Sequence, residues 1–364
     1  MKKILTVVGA RPQFVKAAPV TKAIKETMNL IEVMVHTGQH YDINMSETFF
    51  DDLEIPQPKY NLSVGSGSHG AQSGEIMKRL EPVLLEEHPD VVIIYGDTNS
   101  TLAAAVTAAK LHMTGAHIEA GLRSFNRSMP EEINRVVADH VSSFLFCPTT
   151  TGVQNLAKEG ITKNVFNTGD VMYDVVLQFS HKAEEKSHIL SDLRLENKAY
   201  ILATVHRAEN ADSRKRLSNI FLALKEMSEE TVVVVPLHPR TRNMIRRFEL
   251  DHHLEGILLI EPVGFLDMLS LEKNARLIAT DSGGVQKEAY FNRVPCVTLR
   301  DETEWVETIE AGWNVLAKVD SVEEMTNAMR RSLEFTGGRG KIDEYGDGRA
   351  SMKIVRTLKS FLNI

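Results

Sequence analysis

His117-Ile118-Glu119-Ala120-Gly121-Leu122-Arg123, and shortly after it Pro130-Glu131-Glu132-Ile133-Asn134-Arg135, is the stretch whose reading decides the fold. Glu119 closes an apolar run and stands just before a glycine. In open α/β sheets the carboxyl end of a strand delivers side chains into the ligand crevice. Glu131 follows Pro130, the arrangement of a first helical turn, where proline is tolerated and a carboxylate favoured. Upstream, Val91-Val92-Ile93-Ile94-Tyr95-Gly96-Asp97 reads as a second buried strand ending in glycine and an acid. Taken singly, Glu131 reads equally as a helix-start charge and Asp97 as a helix cap. Taken together, three carboxylates at element ends form the arrangement that acid/base chemistry requires.

Outward from this stretch the chain alternates. Buried strands are predicted over 4–8, 31–36, 91–95, 115–119 and 144–147, with helical patterns over 14–28, 76–87 and 100–111 between them. The alternation pauses near 167–170, and the charged, strandless segment 181–196 reads as a linker. A second series follows over 200–205, 231–236, 256–260, 276–280 and 296–299. The expectation is an α/β protein of two doubly wound, Rossmann-like domains, 1–170 and 171–350, with a cleft between them. The one-sided helical pattern over 351–362 is expected to pack back on the first domain. The glycine- and serine-rich segment 65–74 reads as a mobile loop near a site.

With 364 residues the chain can hold two full cores. A net charge of −7 gives no sign of a nucleic-acid partner or an anionic membrane surface. The opening apolar run is too short for a signal peptide and no run reaches membrane-spanning length, so the reading is cytoplasmic. Cys147 and Cys296 sit in apolar runs and read as buried thiols, and no cysteine or histidine spacing predicts a metal site.

Gly9-Ala10-Arg11-Pro12-Gln13-Phe14-Val15-Lys16 follows the first strand without the dinucleotide fingerprint, so no nicotinamide cofactor is expected. Arg11 there reads equally as an anion-holding group or a solvated charge. Thr280-Asp281-Ser282-Gly283-Gly284-Val285-Gln286-Lys287-Glu288 carries the stronger anion signal. Its strand, double glycine and following helix can turn backbone N–H groups toward a diphosphate, and Glu288 could accept from ribose hydroxyls. His206 and Arg207 end the second domain's first strand; His206 reads evenly as structural or functional. His238 to Arg242 repeats that theme, and His36 and His40 show no metal spacing. The acidic segment around Trp305 reads either as an exposed loop or as a substrate wall.

Together, Gly9–Lys16, Gly96-Asp97-Thr98, His117–Arg123, Pro130–Arg135, His206-Arg207, Asp281–Glu288 and Tyr345-Gly346-Asp347-Gly348 resemble the non-hydrolysing UDP-N-acetylglucosamine 2-epimerases along the whole chain. The resemblance implies a glycosyltransferase-B-like fold, a homodimer, and inversion at C2 of a UDP-N-acetylhexosamine without metal or cofactor. It implies catalytic roles for Asp97, Glu119, Glu131 and His206. It implies nucleotide-sugar binding by Arg11, Lys16, Ser282, Gly283, Gly284 and Glu288. A hydrolysing epimerase and a retaining glycosyltransferase are the rival readings. The chain departs from the best-known members at Gln13 (Glu there), Trp305 (Arg), Val263 (Gln) and Asp42 (Gln), and lacks an Arg in 65–74, so their allosteric activation is not implied. The versions around His40-Tyr41-Asp42, 67–70 and Trp305 are more similar to a branch acting on modified sugars such as UDP-2,3-diacetamido-2,3-dideoxyglucuronate, in surface-polysaccharide synthesis. UDP-N-acetylglucosamine stands first only as the family's commonest substrate.

Overall fold

Ile4, Leu5, Val7 and Val8 lie in strand β1 (Lys2–Val8) and are all buried, the pattern of a strand covered on both faces. In the computed structural model, which describes residues 1–39, 47–335, 339–340, 343 and 345–364, β1 sits near the centre of a seven-stranded sheet. Its companions are β2 (Leu30–His36), β3 (Tyr60–Asn61), β4 (Val91–Tyr95), β5 (Gly115–Ile118), β6 (Phe144–Cys147) and β7 (Val165–Asn167). The order is β3-β2-β1-β4-β5-β6-β7, and every pairing is parallel. A second, six-stranded parallel sheet comprises β8 (Tyr200–Thr204), β9 (Val232–Pro236), β10 (Leu258–Ile260), β11 (Leu277–Thr280), β12 (Cys296–Thr298) and β13 (Asn314–Leu316). Its order, β10-β9-β8-β11-β12-β13, repeats the reversal around a central first strand. The sequence-predicted fold class therefore holds: two doubly wound, Rossmann-like sheets.

The chain divides into one unit of residues 1–178 with 343–364 and a second of 179–342. The segment read as a linker is helical instead, with a helix over Val171–Lys186 and a short turn over Ile189–Asp192. Val175, Val176, Phe179 and Ala183 give that helix an apolar face that its surface charges obscured. The final helix, Ala350–Phe361, packs on the helix Arg11–Lys25, and its Phe361 ring meets Phe144 edge-on at 4.8 Å. Segment 65–74 is a loop only in part. Helix begins at His69, and Gln72 anchors it by donating to the carbonyls of Gln39 and Gly65. The readings at His40, Tyr41 and Asp42 fall outside the described residues. Among those described, no helix is long and apolar enough to cross a membrane. Cys147 and Cys296 are buried and unbridged.

The turn after β5 depends on one glycine. Gly121 has φ +80°, and a Cβ there would stand 2.3 Å from the carbonyl oxygen of Gly152, at the start of the helix Thr150–Lys158. Asn155 Nδ2 donates to the Gly121 carbonyl at 3.1 Å and locks the two together. Gly121→Ala must strain the turn or push that helix away. The expected loss is about 3 kcal/mol, a fall of roughly 5–10 °C in melting temperature for a unit of this size. Thermal unfolding followed by circular dichroism checks it; an unchanged midpoint would mean the turn can open freely.

Candidate active site

In the first sheet the strand order reverses between β1 and β4, the place where doubly wound sheets open a crevice. The residues after β1, β4 and β5 converge there. Gln13, 2% exposed, ties the first two turns together. Its Oε1 accepts from the N–H of Gly9 (2.8 Å) and Ala10 (3.2 Å), while Nε2 donates to the carbonyl of Tyr95 at 2.7 Å. Only an amide offers both an acceptor and a donor for this bridge.

The β4–β5 register sets Tyr95 beside Ile118, so Gly96 and Glu119 emerge side by side. Glu119 is 5% exposed and has φ +71°, a left-handed conformation that costs a non-glycine residue about 1–3 kcal/mol. The bend is held by the N–H groups of Glu119 and Ala120, which both donate to the Phe146 carbonyl at 3.1 Å. It returns the Glu119 carboxylate over Gly96, where it forms an ion pair with Lys16. Asp97, about a third exposed, pairs with Arg135, whose other arm donates to Glu132 at 3.0 Å. Glu131 is half-buried in the first turn of the helix Pro130–Val141. It lies four residues before Arg135 and so shares its helix face. Asp97 and Glu119 thus meet at Gly96, and Glu131 stands one helical turn before the Arg135 with which Asp97 pairs.

Behind this group lies a buried charged network. His117 directs Nδ1 to Asp139 and Nε2 to the Gly96 carbonyl, each at 2.7 Å. Both partners are acceptors when Asp139 is ionised, so the ring can donate at both positions only when doubly protonated. Asp139 also accepts from Arg123 (2.7 Å) and the Gly121 N–H (3.1 Å). Burial pushes the Asp139 carboxyl up, but His117 and Arg123 together outweigh it and hold the group below the usual carboxylate range.

Of the positions the resemblance assigns to the nucleotide sugar, Lys16 stands with the acids, and Arg11 lies 5.5 Å over the Phe49 ring. The others belong to the second unit. There β8 and β11 pair in register to Thr204 and Thr280, whose hydroxyls meet at 2.5 Å. Asp281, fully buried, accepts from the N–H of His206 and Arg207 and from Asn210 Nδ2, at 3.1–3.2 Å. It fastens the turn after β8 to the turn after β11. Ser282 stands at the N-cap position of the helix Gly283–Phe291, without a side-chain bond to the helix N–H groups. Beside Gly283 stand the Trp305 indole nitrogen, an Arg207 guanidinium nitrogen and Glu304, at 3.5, 3.6 and 3.9 Å from where a Cβ would be. Trp305 is 4% exposed, with Lys287 Nζ 3.9 Å from its ring centroid, and Thr303 and Glu304 before it are buried too, so this segment is not an exposed loop. His206 is partly exposed beside the ring of His238. Among the described residues no cluster of His, Cys, Asp or Glu could hold a metal.

Sequence reasoning passed over Gln13, Arg135, Asp139 and Asp281 as working residues. Arg135 was detectable from its i+4 spacing to Glu131, and Asp281 from its place at a strand end. Asp139 had no local signal.

A family model for UDP-N-acetylglucosamine 2-epimerase matches residues 22–359. A Methanococcus maripaludis UDP-N-acetylglucosamine 2-epimerase homolog is 52% identical, over 98% of this chain and 99% of that protein. The Pseudomonas aeruginosa UDP-2,3-diacetamido-2,3-dideoxy-D-glucuronate 2-epimerase is 48% identical over the same shares. A crystal structure of Methanocaldococcus jannaschii UDP-GlcNAc 2-epimerase in complex with UDP-GlcNAc and UDP superposes with a TM-score of 0.92 at 44% identity, covering 98% of this chain and 99% of that one.

The Asp139 network yields a pH-dependent prediction. A carboxyl held low contributes stability above its unfolded value and loses it as pH falls through its folded value. Asp139→Asn should cost about 3 kcal/mol at neutral pH, since Arg123 and His117 lose a buried anion. The gap should close as pH falls below the carboxylate range. Urea unfolding of both proteins between pH 7 and pH 3 tests this; a gap that widens on acidification would refute it.

Proposed function

The chain belongs to the UDP-N-acetylglucosamine 2-epimerase family, and we propose that it inverts C2 of a UDP-N-acetylhexosamine by eliminating UDP and adding it back. One observation supports the reading: Asp97 and Glu119 beyond the carboxyl ends of β4 and β5, each paired with a cation, Lys16 or Arg135, with Glu131 in the first turn of the helix that carries Arg135. Their surroundings differ, since Asp97 and Glu119 each face a cation while Glu131 sits at a helix N-terminus. Acid/base pairs are built from such differences.

In the proposed reaction a carboxylate removes the proton from C2 as the C1–O bond to UDP breaks. The electron pair of the C2–H bond becomes the C1–C2 double bond of a 2-acetamidoglucal, and the C1–O pair leaves with UDP. In the return step UDP oxygen adds to C1, and an acid delivers a proton to the opposite face of C2. The three acids share the base and acid roles. His206 and Arg11 offset charge on the departing diphosphate, helped by Ser282, Gly283 and Gly284, with Glu288 receiving the nucleotide's hydroxyls. The first unit supplies the acids and the second the diphosphate turn. A cytoplasmic homodimer acting in surface-polysaccharide synthesis belongs to the same proposal.

UDP-N-acetylglucosamine is the first substrate proposed. The diacetamido-uronate analogue is the second, favoured by Trp305 at the diphosphate turn and by the 48% identity to the Pseudomonas aeruginosa protein. Incubation with each sugar nucleotide in D2O should place deuterium at C2 and yield the 2-epimer, and the faster substrate identifies the sugar. Glu119→Gln and Asp97→Asn should each slow that incorporation by about 100- to 10,000-fold. Full incorporation in both variants would sink the assignment. Free N-acetylmannosamine would point to a hydrolysing enzyme.

A further inference from the structure

Glu272 is a carboxyl group where an apolar side chain would be expected. It lies near the end of the helix Phe265–Asn274 and is 2% exposed. Its chain neighbour Leu271 belongs to an apolar cluster with Tyr200, Leu202, Ile278, Val285, Ala289 and Cys296, of which Tyr200 and Cys296 feel the Glu272 charge. Its side chain hydrogen-bonds that of Glu288, on the neighbouring helix Gly283–Phe291, which packs against its own. The other titratable groups facing it are Tyr200 from β8 and Cys296 from β12. Tyr200 gives its hydroxyl proton to the Leu271 carbonyl at 2.6 Å. Among the described residues no cation faces Glu272.

Two carboxyl groups in hydrogen-bond contact cannot both be charged in such a place, so the pair holds one proton. The proton belongs on Glu272. Burial and the carboxylate of Glu288 both push its acidity down, and the negative end of its own helix acts in the same direction. Glu288 is half-buried on the helix that starts at the glycine turn, and is the member able to meet a ligand. Leucine or methionine would fill the Glu272 site without the cost of burying a polar group. A role in packing alone therefore does not account for the residue.

We propose that Glu272 is a positioning residue for nucleotide binding: its neutral carboxyl donates a hydrogen bond to Glu288 and fixes the orientation in which the Glu288 carboxylate accepts a pair of ribose hydroxyls. The inference rests on the proposed nucleotide role of Glu288. A donor bonded to one carboxylate oxygen removes rotamer freedom that ligand binding would otherwise have to remove.

The test uses the full-length chain, with UDP binding by calorimetry, steady-state kinetics on the UDP-sugar and thermal unfolding. Glu272→Leu deletes the donor, Glu272→Gln keeps one, and Glu288→Gln probes the acceptor. Glu272→Leu should weaken UDP binding and raise KM about tenfold, the scale of one hydrogen bond to a charged group, with kcat within about twofold and the melting temperature no lower than wild type. Glu272→Gln should restore affinity to within about twofold of wild type. Wild-type affinity in Glu272→Leu beside weakened binding in Glu288→Gln overturns the role of Glu272 alone. Equal losses in the Leu and Gln variants overturn it too. Unchanged UDP binding in Glu288→Gln removes the nucleotide role of Glu288, and this inference with it.

Discussion

Glu119 bends back over Gly96, and the rest of the first unit's site is arranged to hold it there. A left-handed glutamate is unfavourable on its own, and two N–H groups converging on the Phe146 carbonyl keep it in place. Gly121 then lets the chain turn against the helix after β6, and Asn155 closes the contact. On the other side, His117 holds the carbonyl of Gly96 while Asp139 and Arg123 hold His117. Strain at one residue is supported by hydrogen bonds from the ends of β4, β5 and β6 and from the helices beside them, the kind of rigid scaffold that holds a side chain in one orientation.

Charge placement follows the same economy. In the first unit three buried acids have a cation beside them, Lys16 at Glu119, Arg135 at Glu132 and Arg123 at Asp139, whereas Asp174 is held by the N–H groups of Ala350 and Ser351 and the Ser351 hydroxyl. Breaking such a pair leaves an uncompensated ion, with a penalty of about 3–5 kcal/mol. In the second unit Glu304 likewise pairs with Arg300, and two other buried acids are handled without an Arg or Lys beside them. Asp281 is satisfied by two backbone N–H groups and an amide, whereas Glu272 escapes ionisation by keeping its proton. The two solutions differ in consequence. An acid held by fixed N–H groups is a structural staple, while one that shares a proton with its neighbour controls that neighbour's direction.

What the sequence disclosed depended on how local the cause was. The central strands were legible because burial on both faces writes continuous Val/Ile/Leu runs, as in 91–95 and 232–236. β3, β7 and β13 were not predicted; they have two or three residues each, too few for any period, and all three are edges. The helix over Val171–Lys186 was hidden by its charged outer face. In the site, the acids at strand ends were readable because α/β topology fixes where strand ends point. Asp139 and Glu272 were unreadable, since each takes its meaning from a partner at least 16 residues away.

The two sheets use the same topological position for different purposes. Each reverses strand order beside its central strand, and each places its candidate residues just beyond the strands at that reversal. The first fills the position with charged side chains, Glu119 and Asp97 among lysine and arginine. The second places two glycines and a serine at a helix start there, beside Arg207 and Glu304, anchored by an acid that never reaches solvent. Moving a proton requires groups whose charge can change, and side chains provide that. Holding a diphosphate requires donors whose charge does not change, and the backbone at a helix start provides those at no risk of titration. The division of residue types between the two turns is therefore what the proposed reaction would ask of each.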